Sequence, residues 1–307
     1  MITFLLAMIV ILLGAYTRLT DSGLSCPDWP HCYGYLTAPH TDSQLQTAAR
    51  SYPAFPVNTT KAWTEMTHRY FAGFEGLLII ILATSFLMTR KIKDNKSLFI
   101  GMGLIGLLGI QVLLGMWTVT EKLKPIVVLL HLLTGLSLLS ILWLAYLELT
   151  TRQLFIASQS SQKISLWLYL GALVLIAQIT LGGLVSSHYA GLACIDFPYC
   201  NGKLLPALDF SHLNSNLITI HMLHRIGAFV TATYLSILSF ILFKHSHLRL
   251  LAAILLILIG VQLTLGILNI VWLRPIFIAL AHHAIAILLL LTTLKIIHKS
   301  SLRGQRQ

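Results

Sequence analysis

The sequence predicts an all-α polytopic membrane protein, with eight transmembrane helices arranged as two pseudo-symmetric four-helix bundles. Three observations lead there. Of the 307 residues, 56% are A, V, I, L, M, F, W, Y or C and only 10% are charged, against about 25% in an ordinary soluble domain. At ~20 residues per crossing, that apolar content supplies roughly eight spans. The mean hydropathy of +0.81 excludes a soluble globular chain, a disordered chain and a β-barrel, whose alternating strands dilute hydropathy. The third observation is that the second half repeats cysteines, histidines and glycines of the first in the same order.

In chain order, the apolar runs are Ile2–Thr17, Thr64–Met88, Leu98–Val119, Pro125–Leu147, Leu166–Ser187, Ile218–Phe243, Leu248–Trp272 and Pro275–Ile297. A backbone in hydrocarbon must satisfy its own hydrogen bonds, so runs of this length are helices. Pro125 and Pro275 sit where a first helical turn accepts a proline. Gly14-Ala15-Tyr16 loosely resembles a signal-peptide processing site. No basic region precedes the first run, however, and that run has an internal counterpart, so a retained span is expected.

The net charge of +11 belongs with cationic loops rather than with nucleic acid, because no basic run is interleaved with aromatics. The expected partner is the lipid bilayer. Arg90, Lys91, Lys93, Lys96, Arg152, Lys163, Lys244, Arg249, Lys295, Lys299, Arg303 and Arg306 crowd into one set of short connections and the tail, holding 12 of the 21 Lys and Arg. The other nine are spread over much longer connections. The dense set is expected on the cytoplasmic side together with both termini, and the cysteine loops on the outer side.

The repeat is read from fixed offsets. Gly14, Cys26 and Cys32 match Gly182, Cys194 and Cys200 at 168 residues, and His68-Arg69 matches His224-Arg225 at 156. Gly109-Ile110-Gln111, Gly115 and His131 match Gly260-Val261-Gln262, Gly266 and His282 at 151. The falling offset means a longer outer loop in the first half. Two units in the same orientation are therefore expected, at residues 1–150 and 151–307.

Cys26 and Cys32 bracket five residues, as do Cys194 and Cys200. On an oxidising face each pair is expected to form a local disulfide, Cys26–Cys32 and Cys194–Cys200. Free thiols and a thiol-exchange role remain the alternatives. The spacing is wrong for zinc, which would want two Cys-x-x-Cys pairs.

Among 13 histidines, four recur in register: His68, His131, His224 and His282. His131 and His282 lie about 10 Å inside their helices at 1.5 Å per residue. An inward histidine from each of two helices in a four-helix bundle makes a bis-histidine haem site, and two halves make two. A single histidine of this kind is more simply an interfacial hydrogen-bonding residue, but packing alone does not need the pair twice in register. His221 lies one turn before His224 and could replace it, and His283 adjoins His282. Arg69 and Arg225 are candidates for haem propionates or else interfacial anchors. Gln111 and Gln262 are expected to hydrogen-bond between helices.

Glu65 precedes His68 by three residues and shares its helix face, whereas the second half carries His221 at that place. A carboxylate near one haem only implies that the two haems do different work. The simpler alternative is an acid in interfacial water, favoured by the helix dipole. Glu75, about 15 Å deeper, suits a proton relay or a satisfied buried acid equally.

Glu65-x-x-His68-Arg69, His131, His224-Arg225, Leu280-Ala281-His282 and the paired GLxC-x5-C loops (Gly23–Cys32, Gly191–Cys200) together resemble the haem A synthase family over essentially the whole chain. The resemblance implies an oxidoreductase acting on a CH or CH2 group, which oxidises a methyl of haem O to a formyl by successive hydroxylations and yields haem A for cytochrome oxidase. It implies that His224 and His282 ligate a haem b cofactor in the C-terminal half. His68 and His131 would hold the iron of the substrate haem in the N-terminal half, with Glu65 as the essential carboxylate. Haem O synthase, cytochrome oxidase assembly and an external electron acceptor are the implied partners. The lack of an Arg- and Ser-rich presequence points to a bacterial inner membrane. The main alternative is a di-haem b-type electron-transfer protein acting on quinol, which explains four histidines but not the one-sided Glu65. A repeat-built transporter would need a polar midplane that these spans lack.

Overall fold

The computed structural model describes residues 1–88, 95–151 and 162–301. Its elements are α1 (Ile2–Leu19), α2 (Asp42–Ser51), α3 (Thr59–Met88), α4 (Asn95–Thr120), α5 (Pro125–Thr151), α6 (Gln162–Ser187), α7 (Leu217–Leu242), α8 (Arg249–Val271) and α9 (Ile276–Ser301), with a 3-10 turn at Ala190–Leu192. Eight of these, all but α2, are long and apolar enough to cross a membrane. Among the described residues the regular structure is all-helical, as the composition requires. Six of the cationic residues used to orient the chain, Arg90, Lys91, Lys93, Arg152, Arg303 and Arg306, lie outside the described residues.

The spans end where local chemistry stops them. The Asn216 side chain accepts the Thr219 N–H at 2.9 Å and caps α7, satisfying one of the amides every helix start leaves free. α3 begins at Thr59, earlier than the hydropathy rise at Thr64, because polar residues still complete its first turns. Hydropathy does not see α2. It starts on a reciprocal box in which Gln44 N–H donates to Thr41 Oγ1 at 3.3 Å and Thr41 N–H donates to Gln44 Oε1 at 3.2 Å.

The chain divides into two compact units, Met1–Leu142 and Trp143–Gln307, with the division inside α5. In the first, α1 packs on α3 and α3 on α4, and Gly135 of α5 lies against Gln111 of α4 and Ile11 of α1. In the second, α6 packs on α7, α7 on α8, α8 on α9 and α9 back on α6.

The connections before α5 and α9 are alike. Lys122 and Leu123 (φ 50° and 57°) and Leu273 and Arg274 (φ 55° and 60°) all adopt the left-handed conformation without being glycine. Each costs of order 1–2 kcal/mol and is held by a backbone bond, Leu123 N–H to Thr118 O at 2.8 Å and Arg274 N–H to Asn269 O at 2.7 Å.

Candidate functional site

Each unit carries a short disulfide loop at one end of its helices, and the two loops are built alike. Cys26–Cys32 and Cys194–Cys200 are bonded, with Cα–Cα distances of 4.6 and 4.8 Å. All four cysteines are fully buried, and the bridges pack with Met66 of α3 and Met222 of α7. Behind each bridge an aspartate gathers two amides. Asp28 accepts the N–H groups of Tyr33 (2.6 Å) and Gly34 (2.8 Å). Asp196 accepts those of Asn201 and Gly202, both at 2.8 Å. The Gly202 amide first, then that of Asn201, holds the Asp196 carboxyl below its usual range, against some opposing desolvation. These bonds pin two successive left-handed residues, Tyr33-Gly34 (φ 56° and 80°) and Asn201-Gly202 (φ 53° and 76°). Burial first, then the charges of Glu65 and Asp28, pushes the Tyr33 phenol up, and its hydroxyl donates to Phe55 O at 3.3 Å.

The two arginines clamp these loops. Arg69 Nη1 donates to the carbonyls of His31 (2.7 Å), Asp28 (3.0 Å) and Pro30 (3.3 Å). Arg225 Nη1 donates to Tyr199 O (2.8 Å) and Asp196 O (3.2 Å). Both guanidiniums thus anchor backbone, which is a use the sequence alone does not reveal.

The second amino group of each arginine marks where the units part. Arg69 Nη2 donates to Glu65 Oε1 at 2.6 Å, and Glu65 Oε2 accepts the Cys26 N–H at 2.9 Å. Glu65 is 4% exposed, so its charge is matched by the Arg69 ion pair and by loop amides, as a buried carboxylate requires. In the other unit Arg225 Nη2 donates to Cys194 O at 2.8 Å instead. At the register of Glu65 stands His221, whose Nδ1 is bonded to Ala190 O at 2.9 Å. His221 is thereby occupied as a strut of the Ala190 turn.

The four recurrent histidines share one packing motif. A Cβ built on Gly14 of α1 would meet His68 Cε1 at 3.0 Å, and one on Gly115 of α4 would meet His131 Cε1 at 3.2 Å. A Cβ on Gly182 of α6 would meet His224 Cε1 at 3.1 Å, and one on Gly266 of α8 would meet His282 Cε1 at 3.2 Å. Each imidazole therefore lies flush on a neighbouring helix at a glycine, where a side chain would press on the ring. The repeat offsets contained these glycines, but their partners became visible only in three dimensions. Among the described residues no hydrogen bond is found to the buried Nδ1 atoms of His68, His131 and His282 or to Nε2 of His283, while backbone groups of Val10, Gln111 and Gln262 stand against the first three rings. Gln262 Nε2 lies 3.3 Å from His282 Nε2, the interhelical contact expected of that glutamine. Gln111 packs its amide on Gly135, with its Oε1 buried and unpartnered. Glu75 is 9% exposed on α3, and no hydrogen bond or ion pair to it is found among the described residues. Gln178 of α6, which sequence reasoning passed over, bonds His224; it has no counterpart in the first half, so the repeat gave no signal for it.

Unpaired imidazole nitrogens in an apolar interior are costly unless something takes up their capacity. Among the described residues no group of three or more His, Cys, Asp or Glu could hold a metal ion. What the chain offers a metal group is thus histidines on separate helices, the donor set that a haem iron accepts.

The sequence profile of the COX15-CtaA family, described as cytochrome oxidase assembly protein, matches residues 1–294. A haem A synthase of Shewanella oneidensis is 42% identical over 98% of this chain and 96% of its own length. Those of Chelativorans sp. and Brucella ovis are 28% and 26% identical over 92% and 94% of this chain, and 84% and 86% of their own. On the profile match and the near-full-length likeness, the chain belongs to the COX15-CtaA family of cytochrome oxidase assembly proteins.

Proposed function

We propose that the protein acts as a haem A synthase, an oxidoreductase that takes haem O in the unit Met1–Leu142 and oxidises a porphyrin methyl to a formyl by successive hydroxylations. The single observation that carries this reading is the asymmetry at one register. One unit holds a buried carboxylate, Glu65, one helical turn from His68, and the other holds His221, which is committed to Ala190 O. Two equal electron-carrying haems would give no reason for that difference.

His68 and His131 would ligate the substrate iron. Their glycine backing fixes each ring on a neighbouring helix, so the substrate is presented in one orientation rather than many. Glu65 lies next to this site with its charge fixed by Arg69 and the Cys26 amide. It takes up a proton released from the methyl carbon or stabilises positive charge developing there, and because its dipolar surroundings are preorganised it does so with little rearrangement. Arg69 keeps the carboxylate in place and also ties it to the disulfide loop, so loop and acid move as one. His224 and His282 would hold a resident haem b, whose contribution when bound is to accept electrons from the substrate and pass them to an external acceptor. Glu75 remains a candidate for carrying protons away along α3.

The density of Lys and Arg supports an orientation with both termini cytoplasmic and the disulfide loops outside, in what this reading takes to be a bacterial inner membrane. Substrate is supplied by a haem O synthase, and the product goes to cytochrome oxidase assembly.

The test is pigment analysis of purified protein co-expressed with a haem O synthase, wild type beside Glu65→Gln. Wild type is expected to yield haem b plus haem A. The variant should yield haem b plus haem O or a hydroxylated intermediate, with haem A reduced at least a hundredfold. Two equivalents of haem b in both proteins would overturn the reading in favour of a di-haem electron carrier.

A further inference from the structure

One arginine of the second unit stands where the first unit has an apolar side chain. A Cβ built on Gly23 would meet Leu123 Cδ2 at 3.4 Å, and one built on Gly191 would meet Arg274 Cδ at 3.5 Å. By the repeat offsets these are the same contact, made by the turn before α5 and by the turn before α9. The polarity around it is inverted. In the first turn Leu123 packs on the glycine while Glu121, Lys122 and Lys124 are exposed. In the second Arg274 packs on the glycine while Trp272 and Leu273 are 57% and 62% exposed. A cation that merely anchored the chain at the interface would take one of the outward places.

Arg274 lies over the histidine site. Gly191 belongs to the Ala190–Leu192 turn, whose Ala190 carbonyl is bonded to His221, one helical turn before His224. Along the chain Arg274 precedes His282 by eight residues, about two helical turns. No carboxylate of this end answers it. Asp196 accepts the amides of Asn201 and Gly202, and Asp209 is bonded to Ser211 and His212. No hydrogen bond or ion pair to the Arg274 side chain is found among the described residues. Arg225 has both amino groups on loop carbonyls.

A second polar side chain here is also unmet. Asn269 lies three residues beyond Gly266, on the face of α8 that receives the His282 ring, and its backbone carbonyl accepts the Arg274 N–H at 2.7 Å. Its Oδ1 is buried without a partner, whereas Thr118, its counterpart, donates its hydroxyl to Gly115 O. No hydrogen bond to the other end of the Asn269 amide is found among the described residues, so the amide is free to turn its N–H groups toward an anion.

We propose that Arg274, seconded by Asn269, is a carboxylate-binding site that pairs with a propionate of the haem held by His224 and His282. The inference rests on the reading of those histidines as ligands of a resident haem b. The planar fork of a guanidinium matches a carboxylate. Positive charge beside the porphyrin favours ferrous iron, because reduction lowers the charge of the haem. With Leu123 at that place in the first unit, this ion pair belongs to the haem that stays.

The test is redox titration and low-temperature EPR of the purified, haem-loaded full chain, expressed without haem O synthase, with haem and phospholipid stoichiometry. The proteins are wild type, Arg274→Leu, Arg274→Lys and His224→Ala. Leu123, at φ 57° against Gly23, shows that leucine fits this turn, so Arg274→Leu is expected to fold. If the cation favours ferrous iron about tenfold, its loss lowers the midpoint potential of the low-spin haem by about 59 mV. Arg274→Lys, which keeps the charge, is expected to retain most of the wild-type potential. Loss of that haem from the Leu variant but not from the Lys variant also supports the site. An unchanged potential and haem content in Arg274→Leu, or equal falls in both variants, would overturn it. So would a loss of bound anionic lipid at an unmoved potential, which would assign Arg274 to a lipid phosphate instead. His224→Ala separates the two layers. If the low-spin haem persists there, the ligand reading fails and the proposal with it; if it vanishes, the Arg274 variants report on Arg274 alone.

Discussion

The loop Cys26–Cys32 with Arg69 and the loop Cys194–Cys200 with Arg225 are one device built twice. In both, a disulfide, an aspartate bound to two amides and an arginine bound to loop carbonyls lock a turn onto a helix. They differ in where the arginine's second amino group goes: to the buried carboxylate of Glu65 in one, to the carbonyl of Cys194 in the other. The shared part is a scaffold, and the difference is chemistry placed on it. A buried carboxylate is tolerated where the scaffold supplies a guanidinium and an amide to meet it.

That comparison is most sharply broken by removing the arginines. Arg69→Met strands Glu65 in a buried position and is expected to cost about 3–5 kcal/mol, the range for an orphaned buried charge. Arg225→Met leaves carbonyls alone and is expected to cost about 1–3 kcal/mol. Thermal unfolding in detergent reads both, and equal losses would mean that the Glu65 charge is not held by Arg69.

Opening the disulfides sharpens the same contrast. Both bridges span six residues, so chain entropy predicts nearly equal losses of about 2 kcal/mol for Cys26→Ser/Cys32→Ser and Cys194→Ser/Cys200→Ser. Turnover should separate them. The first pair releases the Cys26 amide from Glu65 and should slow haem A formation by about tenfold, whereas the second should leave the formation rate of loaded protein within about twofold. Haem A yield per haem b decides.

The smallest effect concerns acid. Asp196 has its carboxyl held below the usual range, chiefly by the Gly202 amide, so its contribution to the loop is present above the ordinary aspartate value and is lost as pH falls through the lowered one. Hydrogen exchange at Asn201 and Gly202, corrected for intrinsic rates, should stay protected at neutral pH and lose protection only in acid. Asp196→Asn should remove the pH dependence.

Much of this was legible from residues. Long apolar runs marked eight helices because hydrocarbon leaves the backbone no alternative, and Glu65 stood out because the repeat broke there. α2 was invisible to hydropathy because its order comes from the Thr41–Gln44 box. The arginine targets were hidden because backbone carbonyls carry no sequence signature. Reading by repetition also had a blind side: Gln178 was passed over because Val10, its counterpart, gave nothing to match. The glycines opposite the histidines were visible as matches but silent about why, since a missing Cβ acquires meaning only against a neighbour.

The left-handed turns before α5 and α9 also set a ruler. Leu123 precedes His131 by eight residues, and Arg274 precedes His282 by eight, about 12 Å along each helix. One residue more or less between turn and histidine would swing the imidazole by about 100° and slide it by about 1.5 Å, away from the glycine that receives it. The hairpins thus work as depth gauges: the residues counted from each turn set how far along its helix the histidine stands.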